Sequence, residues 1–301
     1  MDEGKYFFKY IGLKSDSTVR ADFLNNGLFR FTQPNQLNDP FEVNPRVLVE
    51  SYAEEDRELA RQRGLAEGFP PDTVDRWIDL FLRTLPKGRF TPERYPGISY
   101  PEGIHSMEEL DAHNANKQLE ALLKHINETY GIFCLSTSRE NLVMWALYAE
   151  SHKGIVVGFD GNHPFFSNAH DFHPVEYLEN RISLSSNNGF LRLVGEAFLL
   201  KSEYKNLPIR LFLRKHPDWN KEEEWRMVRR LDEATGRSSV EPSVYLFEIP
   251  SEAINVVILG AQISEQNKEH VHRAISSSDK WSHLRILQAR LSSSNFGLDF
   301  Y

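Results

Sequence analysis

Apolar positions along this chain cluster in short aromatic and β-branched runs separated by turn residues. Tyr6-Phe7-Phe8-Lys9-Tyr10-Ile11 is such a run and predicts a strand, as do Leu28-Phe29-Arg30-Phe31, Gly131-Ile132-Phe133-Cys134-Leu135 and Ile155-Val156-Val157-Gly158-Phe159. Val244 to Ile249, Ile254 to Leu259 and Leu284 to Leu291 read the same way. Between these runs lie segments with helical spacing. A short helix capped by Ser17 is expected to stop at Asn26-Gly27, where glycine suits the C-terminal turn. Val74, Trp77, Ile78, Phe81 and Leu82 recur at helical spacing over Asp72 to Leu85, and Leu119, Leu122, Leu123 and Ile126 share a face over Gln118 to Tyr130. Tyr52 to Ala60 predicts an exposed helix, and Phe90 to Gly103, with its prolines and glycines, a loop. Further helices are expected over Arg139 to Ser151, with Ser138 as cap, over Phe190 to Lys201, and over Ser264 to Ile275. Strands and helices without steady alternation point to an α+β fold, with mixed, mostly antiparallel sheets and flanking helices. The helical stretch at about 50–130 reads as an insertion in a single domain covering residues 1–301.

The chain has 301 residues, 40% hydrophobic and 26% charged, which is ordinary globular composition. A net charge of -8 argues against a broad electrostatic grip on nucleic acid, which needs clustered Lys and Arg. One cysteine, Cys134, sits in an apolar run and reads as a buried thiol; alone it forms neither an internal disulfide nor a thiolate zinc site. The first residues do not read as a signal peptide, and no apolar run is long enough to span a bilayer, so a soluble cytoplasmic protein is expected. Dinucleotide and phosphate-loop fingerprints, a His-Glu-x-x-His and a Gly-x-Ser-x-Gly elbow are all missing. His163, His170 and His173 lie in a loop without metal-ligand spacing, so no metal site is expected.

Three groups of residues carry candidate chemistry. In Trp219-Asn220-Lys221-Glu222-Glu223-Glu224-Trp225-Arg226 three carboxylates lie between two indoles and a guanidinium. Read as a strand, Glu222 to Val228 lines Glu222, Glu224 and Arg226 along one face. Read as a helix, Asn220 caps it and Glu222 pairs with Arg226. The strand reading is adopted. On the helix from Arg139, Asn141, Trp145, Tyr148 and His152 form one stripe that mixes amide, indole, phenol and imidazole, suited to a flat ring with polar edges; as core aromatics, Trp145 and Tyr148 need only satisfied polar tips. Asn38-Asp39-Pro40 makes a turn without any ligand, but Glu42 beside it is not explained that way.

These blocks, with Phe8-Lys9-Tyr10, Gly131 to Ser136, the series Met144, Trp145, Tyr148, Ala149, His152 and Gly154, and finally Pro250, Ile254 and Gly260, resemble the mainly bacterial family known as domain of unknown function 2971. Ile11 stands where that family often has Arg, and the motifs do not cover Glu50 to Tyr130. The layout is also similar, more loosely, to ADP-ribosyltransferases of toxin systems, through Asn26-Gly27-Leu28 to Thr32, Glu224 and Ile249-Pro250. That likeness implies an ADP-ribosyltransferase-like fold and an enzyme that takes NAD as substrate and passes ADP-ribose to a macromolecular acceptor, nucleic acid or protein, in a bacterial defence or toxin setting. Glu224 then stabilises the oxocarbenium ion and Glu222 orients the acceptor. Trp145 and Tyr148 stack on a base, while Tyr10, Asn38, His152 and Arg226 hold ribose or phosphate. The competing class is a non-catalytic ligand-binding or protein-interaction module in phage defence or stress response. A metal-dependent nuclease built on Asp39, Glu42, Glu222 and Glu224 is the third reading.

Overall fold

A computed structural model describes residues 5–49, 61–62, 64–66, 68–84, 101–104, 107–187, 190–192, 209–238 and 242–301. They separate into two compact units, one of Met1–Val43, His125–Arg181 and Ile209–Tyr301, the other of Asn44–Lys124 and Ile182–Pro208.

The first unit is built on an eight-stranded sheet. Its strands are β1 (Tyr6–Ile11), β2 (Tyr130–Ser136), β3 (Ile155–Asp160), β4 (Phe172–Pro174), β5 (Glu224–Arg230), β6 (Ile254–Leu259), β7 (Arg285–Leu291) and β8 (Leu298–Phe300). Their spatial order is β8-β7-β6-β3-β1-β2-β5-β4. Every neighbouring pair is antiparallel except β6 and β7, so the expected mixed, mostly antiparallel sheet is present. The central strands are apolar at successive positions because both faces are covered. Phe7, Ile155, Val157, Phe159, Val257 and Leu259 join a large core that takes in Val271, Ala274 and Ile275 of the helix Glu265–Ser276. Phe8, Tyr10, Val156, Val256 and Ile258 join a smaller core with Met144 and Trp145.

One junction of the sheet is incomplete. β1 runs in register with β3 over six pairs, from Tyr6↔Asp160 to Ile11↔Ile155, but meets β2 at one, Phe8↔Ser136. Beyond it Thr32 takes up Ile132, exchanging both backbone hydrogen bonds at 2.8 Å. Between them the Lys9 amine donates to the Cys134 carbonyl at 2.9 Å. A side chain thus replaces a ladder bond where the two strands part.

Several expectations need correction. The helix expected over Arg139 to Ser151 spans only Leu142–Leu147, capped by Asn141 rather than Ser138. Its continuation is blocked because Glu150, Ser151 and His152 are left-handed, with φ of 49°, 54° and 66°. Asp22 rather than Ser17 precedes the first helix, Phe23–Asn26, which does end at a left-handed Gly27. The strand expected from Glu222 begins at Glu224; Pro217–Glu222 is a 3-10 turn, closed by Glu223 at φ 46°. The strand reading therefore holds from Glu224 onward, while the helical reading fails: His216, not Asn220, caps the turn, and Arg226 bonds Glu224 and Glu42 instead of Glu222.

The second unit includes the helix Pro71–Thr84, as expected, and a three-stranded sheet of Arg46–Val49, Ser183–Asn187 and Phe190–Arg192. Ser183–Asn187 and Phe190–Arg192 thus fall in the same unit as the helix Pro71–Thr84, and that unit is not wholly helical. Phe190–Arg192 pairs back on Ser185 to Asn187, and that ladder overrides the helical spacing. The remainder of the helix expected to Lys201, all of Tyr52 to Ala60, and residues 90–100 of the expected loop lie outside the described residues. The helix expected over Gln118 to Tyr130 is present and longer, Met107–Thr129. No helix among the described residues is long and apolar enough to cross a membrane.

Candidate functional site

Where β1 and β2 part there is a cavity of about 220 Å³. Six of the eight residues singled out by sequence line it: Tyr10, Asn38, Tyr148, Glu222, Glu224 and Arg226. Lys9, Glu42, Cys134 and Lys215 line it too.

Its floor is a buried ionic cluster. Glu224 and Arg226 are two apart on β5 and share a face, so the guanidinium folds back on the carboxylate; Nε and Nη2 donate to its two oxygens, each at 2.9 Å. Nη2 also bonds Glu42, and Nη1 donates to the Phe212 carbonyl at 2.7 Å. Lys215 Nζ lies 2.5 Å from Glu222, 3.3 Å from Glu224 and 3.3 Å from Glu42. The side chains of Arg226 and Glu42 are 1% exposed and that of Lys215 2%, so neither cation is shared with water. Burial alone would raise the Glu224 carboxyl, but Arg226 and Lys215 outweigh it and bring the group down to about 2. Burial would lower Lys215, and Glu224 and Glu42 instead hold it above the ordinary value. Glu222 departs in the opposite sense: burial, with Glu224 beside it, raises it against the pull of Lys215.

From Glu222 a chain of hydrogen bonds runs along the cavity. Tyr148 Oη donates to Glu222 at 2.6 Å, and Asn38 Nδ2 donates to Tyr148 Oη at 2.9 Å. Tyr148 closes the short helix, whose cap, Asn141, accepts from the backbone of Val143 and Met144 and donates to the Lys221 carbonyl. The cap thus ties the helix to the turn that carries Glu222. The Glu224 N–H donates to the Tyr177 hydroxyl at 2.9 Å. Tyr10 donates to the Ser138 carbonyl at 2.9 Å, and burial raises its hydroxyl above the ordinary value.

Trp145 and His152 are not among the lining residues. Trp145 is fully buried; its indole N–H donates to the Arg139 carbonyl, and its ring meets Tyr10 edge-on at 5.5 Å. It therefore supports the wall instead of presenting a stacking face. His152 stacks on Trp145, with 5.8 Å between ring centres. Its backbone marks a crossing of two segments. Gly260 donates to the Gly154 carbonyl at 3.0 Å and Gln262 to the His152 carbonyl at 2.9 Å. A Cβ on Gly260 would lie 2.1 Å from the His152 carbonyl oxygen, and one on Gly154 2.1 Å from that of Ile11. The stripe of four residues is broken accordingly: only Tyr148 of the four lines the cavity.

Sequence reasoning missed Lys215 as the hub of the cluster, because nothing in Leu213-Arg214-Lys215-His216 marks the lysine as buried. Lys9 did carry a signal, a charged residue inside an aromatic strand. Cys134 is a free thiol, as expected of a single cysteine, and burial pushes it up to about 12. Of the carboxylates suggested for a metal-dependent nuclease, Glu42, Glu222 and Glu224 are bound to Lys215 or Arg226, which repel a cation, and Asp39 accepts from the Phe41 backbone N–H. Among the described residues no group of three or more His, Cys, Asp or Glu is placed to hold a metal ion.

A family model described as "Protein of unknown function (DUF2971)" matches residues 144–227, from Met144 beside the cavity to Met227 on β5. No curated protein and no solved structure matches the chain.

Proposed function

We propose that this chain, which carries that family signature, is an ADP-ribosyltransferase-like enzyme that cleaves NAD and passes ADP-ribose to a macromolecular acceptor. The observation carrying this reading is the convergence of Glu222, Tyr148, Asn38 and Tyr10, from four separate segments, on one cavity where the sheet parts. In the reaction the bond from ribose C1′ to the nicotinamide nitrogen breaks. Its electron pair leaves with nicotinamide, and positive charge develops at C1′. A carboxylate held in a water-poor wall stabilises that charge without reorganising. Glu222 suits the task better than Glu224: one of its oxygens is held by the neutral Tyr148 hydroxyl and the other by Lys215, whereas both oxygens of Glu224 are held by the Arg226 guanidinium. The acceptor's nucleophile then attacks C1′ and gives up its proton. Arg226 and Lys215 keep the cluster assembled.

The test is nicotinamide release from NAD by wild type, Glu222→Gln and Glu224→Gln, with and without DNA, RNA and protein acceptors. Release that drops by about two to three powers of ten in Glu222→Gln supports this assignment. No release, together with no rise in melting temperature on adding NAD, overturns it. One observation favours a non-catalytic binding module: Glu42, Glu222 and Glu224 are all paired to cations inside the protein. Stabilisation by NAD without turnover would mark that second reading; at a hundred times its dissociation constant a ligand adds about 2.7 kcal/mol.

A further inference from the structure

The three cations lining the cavity are not equivalent. Lys215 has three carboxylates within 3.3 Å, and Arg226 is bonded to two. Lys9 lines the same cavity and has none within ion-pair distance among the described residues. Its amine donates to one neutral acceptor, the Cys134 carbonyl, and lies 4.9 Å from the centre of the Phe133 ring. An ammonium on a half-buried side chain with no carboxylate in ion-pair distance is a costly arrangement in a folded protein. Burial duly lowers the Lys9 amine below its ordinary value of 10.5. Among the described residues one of its three protons has a hydrogen-bond acceptor, and a neighbouring anion would supply the missing attraction.

We infer that Lys9 is the anchor for a phosphoryl group of the ligand that enters this cavity. The inference rests on the reading of the cavity as a ligand site and does not need NAD to be cleaved. It gives the ligand a direction: its phosphate lies against Lys9 at the parting of β1 and β2, and its hydroxyl-bearing part toward Asn38, Tyr148 and Glu222.

The experiment measures binding of inorganic pyrophosphate, AMP and adenosine by calorimetry to wild type, Lys9→Met and Lys9→Arg. Pyrophosphate and AMP are expected to bind wild type, adenosine much more weakly. Lys9→Met is expected to weaken AMP by about tenfold or more, the loss typical of a hydrogen bond to a charged group. Lys9→Arg keeps the charge and is expected to retain part of the affinity. If Lys9→Met fails to fold, the wild type still decides the matter. Bound pyrophosphate should shield Lys9, and not the exposed Lys153, from an acylating reagent read by peptide mass spectrometry. AMP binding that is equal in Lys9→Met, or equal labelling of Lys9 with and without pyrophosphate, would overturn the proposal and leave Lys9 as a strut between the strands. So would failure of wild type to bind any of the phosphate probes. Lys9-dependent AMP binding without nicotinamide release would keep this inference while removing the catalytic one.

Discussion

Arg226 is the residue on which the cluster depends. Replacing it by Leu leaves Glu42 and Glu224 buried together with Lys215 as their sole cation, and breaking a buried pair in this way typically costs about 3–5 kcal/mol. Denaturant unfolding should show that loss for Arg226→Leu, and a substantial part of it for Arg226→Lys, since an ammonium cannot hold Glu224 through two parallel bonds. An Arg226→Lys variant as stable as wild type would refute the role given to that geometry. Tyr148→Phe removes the hydroxyl joining Asn38 to Glu222, and about 1–3 kcal/mol is expected to go with it, read the same way. At this scale sequence reasoning reached Glu224 and Arg226 because spacing by two on a strand is visible in the letters, and reached Glu222 although it lies in the turn before that strand. It did not reach Lys215, whose partners lie at Glu42, Glu222 and Glu224 and are brought to it by the fold.

Among the elements, the short helix Leu142–Leu147 and the turn Pro217–Glu222 act as a pair, joined through Asn141. Asn141→Ala should cost about 1 kcal/mol as a lost cap, and should also lower nicotinamide release by freeing the turn that carries Glu222. Normal turnover in that variant would separate the cap from the site. The crossing near His152 is too close for a side chain: Gly260→Ala or Gly154→Ala places a Cβ at 2.1 Å from a carbonyl oxygen, so a loss of about 1–3 kcal/mol or more is expected in thermal unfolding. The motif series Tyr148, Ala149, His152 and Gly154 was legible, but its reason was not. Helical spacing suggested a ligand-facing stripe; the backbone instead turns left-handed at Glu150 and uses His152 and Gly154 to pass another segment. Strands were easier to read, because apolar runs covered on both faces leave a strong local pattern.

For the whole molecule, acid should expose the balance of the cluster. The Glu224 carboxyl is near 2 in the folded protein against an ordinary 4.5, so its contribution is present above about 4.5 and fades as pH falls toward 2. Glu222, raised above 4.5, works the other way, and its contribution fades as pH rises through its folded value. Stability measured by denaturant between pH 5 and about 2 should therefore fall in wild type and fall less steeply in Glu224→Gln; parallel curves would contradict the assignment. The change of character near residue 50 reads from sequence as an insertion in one domain, whereas the pairing of Ser183–Asn187 with Arg46–Val49 is a contact that no local pattern announces.

The partial junction between β1 and β2 sets how the molecule can accommodate a guest. β1 is zipped to β3 over six pairs, so that side is a fixed edge. On the other side one strand pair and one amine-to-carbonyl bond hold the gap. Changing the aperture there disturbs few backbone bonds and leaves the remaining ladders intact. At that point the gap is bridged by a side chain, Lys9, so substitution there alters the bridge without rebuilding the sheet.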